Sequence, residues 1–214
     1  MELTLVQQIA IYALPVIFAI TMHEAAHGYI AKRFGDMTAY SQGRISLNPL
    51  RHIDPIGTVL VPLITLALGG ILFGWAKPVP VNFGHLRHPK QDMLWVALAG
   101  PGANLIMALF WGAVMKLALT MPESSLAFPM ALMGKAGITI NAVLMVLNLL
   151  PVPPLDGGRV AVSLLPPKLA YRYAMLEPYG MMILVLLLFS GALNFILWPF
   201  INGAVGLISL LFGI

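Results

Sequence analysis

Residues 3–35, LTLVQQIAIYALPVIFAITMHEAAHGYIAKRFG, decide how this chain is built. Leu3 to Met22 holds no charged residue, His23-Glu24-Ala25-Ala26-His27 follows, and Lys32-Arg33 with Gly35 closes the stretch. An apolar run of about 20 residues matches the thickness of a bilayer. Cations in a last turn followed by glycine are helix-stop signals. The predicted element is therefore a membrane-spanning helix from about Leu5 to Phe34. Histidines four apart share one helix face and can hold one zinc ion, and the glutamate between them can act as general base on a water that zinc activates. At 1.5 Å per residue His27 lies roughly 8 Å before Lys32 along the axis. The metal is thus expected nearer the basic end of the span than its middle. The alternative is three polar groups satisfied by neighbouring helices, but such groups are costly in lipid and are functional candidates by default.

The rest of the composition agrees with a membrane setting. The 214 residues are 59% hydrophobic and only 9% charged, outside the range of ordinary soluble domains. The chain reads as an all-α polytopic membrane protein with room for a single membrane-embedded domain over residues 1–214, without linker, repeat or appended polar region. The net charge of +4 sits in loops beside apolar runs, which suits membrane topology and not nucleic-acid binding. Cysteine is absent, so neither a disulfide nor a thiolate metal site is available. The first apolar run has no basic leader, and cleavage would discard the histidines, so it is not read as a signal peptide.

About five to six membrane segments are expected. Residues 37–47 mix Thr38, Tyr40, Ser41, Ile45 and Ser46 around Gln42-Gly43 and predict a small membrane-associated β-hairpin. Asn48-Pro49 and Asp54-Pro55 are turn signals. Segment two, Ile56 to Gly74, is broken by Pro62 and Gly69-Gly70. A basic, proline-bearing loop spans residues 75–90. Segment three runs from about Asp92 to Thr120 and segment four from about Met130 to Leu150. Residues 161–177 form a short amphipathic connection. The uncharged 37 residues from Pro178 to Ile214 are too many for one span, and two short spans turning near Gly191 to Asn194 are expected.

A catalytic zinc site takes three protein ligands and one open position. His52, His85 and His88 lie in basic loops, where polar residues are usually solvated. Asp36, Asp54 and Asp92 flank spans as caps or turn residues. Asp156 stands apart: it follows a long apolar run and the Pro151, Pro153 and Pro154 break, and precedes Gly157-Gly158. Broken backbone at membrane depth is tolerated only where protein or water satisfies it, and flanking glycines permit close approach. Asp156 is therefore the candidate third ligand, with an N-cap role for a helix starting at Gly157 as the alternative.

The His23–His27 motif, taken with Asn148-Leu149-Leu150-Pro151-Val152-Pro153-Pro154-Leu155-Asp156-Gly157-Gly158, resembles the site-2 protease family of intramembrane zinc metalloproteases. Ala99-Gly100-Pro101-Gly102-Ala103-Asn104 and the Gly74–Pro80 loop extend the resemblance over most of the chain. It implies His23, His27 and Asp156 as zinc ligands and Glu24 as catalytic base. It also implies that Asn148, eight residues before Asp156, lies beside the reacting carbonyl. Many members carry PDZ or CBS domains, and these 214 residues resemble neither.

The expected chemistry is hydrolysis of a peptide bond in a transmembrane protein or peptide substrate, with one Zn2+ and surrounding lipid as partners. Asn148 and Asn104 are neutral amides on apolar helices and are candidate oxyanion donors, interhelical packing being the other role open to each. The residue 38–47 stretch could add a strand to an extended substrate. Competing classes are a zinc or other ion transporter, which would show further ligands or paired broken helices, and a non-catalytic binding protein, for which Glu24 would have no use. Basic residues mark the cytoplasmic side. Lys32, Arg33, Arg44 and Arg51 precede segment two and Lys77, Arg87 and Lys90 follow it. Segment two is therefore expected to re-enter on one side, with the zinc site towards the cytoplasmic face of a cell membrane.

Overall fold

The computed structural model describes residues 4–60 and 77–214. Among these residues eight α-helices carry the architecture: α1 (Leu5–Arg33), α2 (Thr38–Ser41), α3 (Pro89–Leu119), α4 (Ala127–Asn148), α5 (Asp156–Leu164), α6 (Pro167–Ala174), α7 (Glu177–Phe189) and α8 (Ala192–Phe212). Helices α1, α3, α4 and α8 are each long and apolar enough to cross a bilayer, and α6–α7, bent by 63°, makes a fifth if counted as one broken span. Phe18, Ile106, Phe110, Phe195 and Leu210 all point outward. A surface this apolar suits contact with lipid, not water. The chain is a multi-pass membrane protein.

Local signals explain the helix ends. Thr4 caps α1 through a reciprocal pair with Gln7, and Lys32 and Arg33 occupy its last turn, where cations meet the negative end of the helix dipole. The expected turn between the last two spans falls at Gly191, whose φ of +74° is open to glycine at no steric cost. Helix α3 packs against α1, α4 and α5, and α4 packs against α1 and α8. Trp111, Met107, Ile138 and Ile208 form the core between α3, α4 and α8.

The predicted β-hairpin at residues 37–47 does not form, and no strand occurs among the described residues. Thr38 starts a helical turn instead, because Asp36 Oδ1 accepts from the Thr38 amide at 3.0 Å and from its hydroxyl at 2.5 Å. Gly43, at φ +61°, ends that turn. Side-chain capping thus outweighs the strand preference of Thr38 and Tyr40. Asp36 also accepts from the Asn82 amide at 2.7 Å. Burial works to raise its pKa, but these hydrogen bonds and nearby His85 together hold its carboxyl below the usual range.

Most of segment two, residues 61–74, lies outside the described residues, and with it the re-entrant expectation. Its described flanks meet: the Lys77 amide donates to His52 O at 2.9 Å.

Candidate metal centre

Three elements distant in sequence converge on one point. His23 and His27 project from one face of α1, with their Nε2 atoms 3.1 Å apart. Asp156, in the first turn of α5, places Oδ2 3.3 Å from each Nε2. Asp156 does not cap its helix, which begins without a side-chain capping bond. Glycines make the approach possible. A Cβ on Gly100 of α3 would stand 2.4 Å from His27 Nε2, and one on Gly157 would stand 2.2 Å from Leu149 O. The α3 backbone therefore closes on the two histidines, and the start of α5 on the end of α4, at distances only glycine permits.

Outer partners fix the tautomers. Val96 O accepts from His27 Nδ1 at 2.7 Å, and a carbonyl can only accept, so the proton of that ring is on Nδ1. Asn104 Oδ1 lies 2.7 Å from His23 Nδ1. Asn104 Nδ2 donates to Ala19 O at 3.2 Å and to Asn141 Oδ1 at 3.0 Å. Its oxygen is thus left to accept from His23, and Asn141 is fixed in turn by donating to Gly137 O at 2.8 Å. Both Nε2 lone pairs consequently face the carboxylate. Asp156 Oδ2 is buried and makes no ordinary hydrogen bond.

This donor set fits zinc. Three converging lone-pair atoms repel one another unless a cation lies between them. Their separations are close to the edges of a zinc tetrahedron, about 3.3–3.5 Å for ligands at about 2.0–2.1 Å. Histidines whose other ring nitrogen is held by a carbonyl or amide are the usual arrangement around zinc. Among the described residues, His23, His27 and Asp156 are the one group of this kind.

Glu24 lies beside them on the wall of a cavity of about 200 Å³, together with Asn148, Arg159, Phe83, Val79 and Pro78. Asn148 reaches this cavity from the end of α4, with Nδ2 donating to Leu144 O at 2.9 Å. Asn104 is fully buried and turned to His23 and Asn141. It is not among the residues lining the cavity, and its side-chain nitrogen donates to Ala19 O and Asn141 Oδ1. His52 donates from Nε2 to Ser46 O at 2.8 Å, while His85 and His88 lie near Asp36 and Asp92, so none of the three joins the centre.

Sequence reasoning missed three contacts. The Val79 amide donates to Glu24 Oε2 at 2.6 Å, and Arg159 sits over the Phe83 ring at 4.7 Å while pairing with Glu177 at 3.1 Å. The position of Arg159 three residues after Asp156, one helical turn, was a usable signal. Nothing in the residue pattern pointed to Val79.

Fold and site together define a candidate metalloenzyme centre: two imidazoles and a carboxylate among apolar helices, with the Glu24 carboxylate alongside. The chain is 41% identical over 191 residues to "Putative zinc metalloprotease YwhC" of Bacillus subtilis, a match covering 87% of this chain and 84% of that one. It is 34% identical over 180 residues to "Putative zinc metalloprotease Rip2" of Mycolicibacterium smegmatis and 31% identical over 180 residues to the protein of that name in Mycobacterium tuberculosis. Those two matches cover 83% and 82% of this chain, and 66% and 65% of the longer relatives. No family model and no solved structure matches it. The chain belongs to this family of zinc metalloproteases, and its cofactor is Zn2+.

Proposed function

We propose that the protein is an intramembrane zinc metalloprotease of the site-2 type, a single membrane-embedded domain that cuts transmembrane proteins or peptides. The observation that carries this reading is the convergence of His23, His27 and Asp156 beside Glu24 within a bundle of apolar spans. His23, His27 and Asp156 hold the ion. When bound, zinc supplies a Lewis acid that makes water acidic at neutral pH and polarises a carbonyl.

Glu24 takes the proton of the attacking water and returns it to the leaving peptide nitrogen. The C–O bond forms first, placing negative charge on the carbonyl oxygen, and as that charge returns the C–N bond breaks with the proton passing to nitrogen, so atoms and protons balance. Asn148, on the cavity wall, donates to the developing oxyanion once its amide turns from Leu144 O. Asn104 and Asn141 act through His23 as positioning residues. The basic ends Lys32-Arg33, Arg44, Arg51 and Lys77 lie on the metal side of the fold, which supports a centre facing the cytoplasm.

The test is zinc content and cleavage of a model polypeptide with one apolar span carrying a glycine-proline break, for wild type and Glu24→Gln. Retained zinc with lost cleavage in Glu24→Gln supports the reading. Wild type that binds zinc but never cuts, or equal cleavage by both, overturns it.

A further inference from the structure

Residues 77–82, Lys-Pro-Val-Pro-Val-Asn, form a strap across the metal centre. Pro78 and Pro80 fix their own φ and bias Lys77 and Val79 away from the helical region, so the strap is extended by covalent constraint. It is pinned along its length. The Lys77 amide donates to His52 O, Arg44 Nη2 donates to Lys77 O at 3.1 Å and Pro78 O at 3.2 Å, and the Asn82 amide donates to Asp36. Val79 is buried over Gly28, where a Cβ would come within 3.1 Å of its Cγ1. Neither proline has an N–H, so the Val79 amide is the single donor from Pro78 to Pro80, and it goes to Glu24 at 2.6 Å.

That amide lies within the distance of Glu24 that a leaving nitrogen would have to reach. A base that returns a proton to the leaving nitrogen must come within about 2.6–3.2 Å of it, and Val79 N is a peptide nitrogen at that distance. In a trans peptide the C=O points opposite to the N–H. With its N–H on Glu24, the Pro78–Val79 bond therefore turns its carbonyl away, and Arg44 Nη2 donates a hydrogen bond to that carbonyl on the far side. The bond is held as a substrate bond would be, yet its carbonyl is out of reach of attack.

We propose that the Lys77–Asn82 strap is an autoinhibitory stand-in for the substrate backbone, occupying Glu24 until an unwound segment of substrate lifts Val79 off it. This rests on the proteolytic reading above. The rival role, an amide that merely positions Glu24 during turnover, requires the strap to stay in place.

The absence of cysteine makes a locking experiment clean. In Gly28→Cys with Val79→Cys, a sulfur at the Val79 Cγ1 position would stand 3.1 Å from the new Cβ at residue 28, a separation that suits a disulfide. The oxidised protein is expected to keep its zinc and lose at least about tenfold of the cleavage that its reduced form shows on the model span, with dithiothreitol restoring it. Equal cleavage in both forms, or a loss that tracks lost zinc, overturns the proposal. A second variant needs no cross-link. In Glu24→Gln with Val79→Cys, alkylation of the single thiol should speed up several-fold when the model span is added. An unchanged or slower rate overturns lifting. Cleavage by wild type and its loss in Glu24→Gln report on the proteolytic reading separately, so the two ideas fail independently.

Discussion

Asn104 accepts the Nδ1 proton of His23 at 2.7 Å while giving its own protons to Ala19 and Asn141. An amide from the middle of α3 thereby sets which nitrogen of an α1 histidine is bare. Loss of an outer partner of this kind typically costs 10- to 100-fold in metal affinity. Asn104→Leu should show that loss in chelator competition. If its zinc affinity equals that of wild type, Asn104 serves packing alone.

Asp156→Ala should purify with strongly reduced zinc, whereas Glu177→Ala should not. The difference follows from Asp156 Oδ2 standing 3.3 Å from both Nε2 atoms, while Glu177 pairs with Arg159. Metal analysis of the two purified variants decides it, and equal zinc in Asp156→Ala and wild type removes the third ligand.

Asn148→Ala should keep zinc and slow cleavage by roughly 10²- to 10³-fold, the usual effect of losing one oxyanion donor. Its place on the cavity wall, at the end of α4, motivates this. Turnover equal to wild type would leave Asn148 a packing residue.

Two neighbouring glycines should respond oppositely to alanine. A Cβ at Gly100 meets His27 Nε2 at 2.4 Å, whereas one at Gly102 meets nothing within 4 Å. Gly100→Ala should therefore lose zinc and cost about 1–3 kcal/mol of stability through overpacking. Gly102→Ala should match wild type in zinc content and thermal midpoint. Similar behaviour of the two variants would show that α3 does not press on the ligands.

Lys77 and His52 are joined by a backbone hydrogen bond of 2.9 Å, so the two described flanks of segment two lie side by side. Single cysteines at Ser46 and His85 should both resist an impermeant thiol reagent added outside intact cells, and one at Ser124 should be labelled. Labelling at His85 with protection at Ser46 would show a full crossing between them.

Much of the site was legible because its parts are local. The helical period alone puts His23, Glu24 and His27 on neighbouring faces of one turn. A proline-broken segment ending in an acid and two glycines singled out Asp156 at long range. The hairpin reading failed at Asp36, since one capping carboxylate outweighed the strand preference of the residues after it. Asn104 and Asn148 looked alike as amides on apolar helices, and no spacing rule separates an amide turned to a ligand from one at a cavity wall.

What the sequence determined by itself was the four long apolar helices α1, α3, α4 and α8, the metal-binding pattern on the first of them and the basic end nearest to it. These follow from apolar length, helical period and charge, each a property of contiguous residues. Only the tertiary structure decided which nitrogen of each histidine is bare, that Gly100 lets the α3 backbone close on His23 and His27 while Gly157 lets α5 close on the end of α4, and that the Val79 amide rests on Glu24. Those are contacts between segments tens of residues apart, set by how the helices pack, and packing is not written in the neighbours of any one residue.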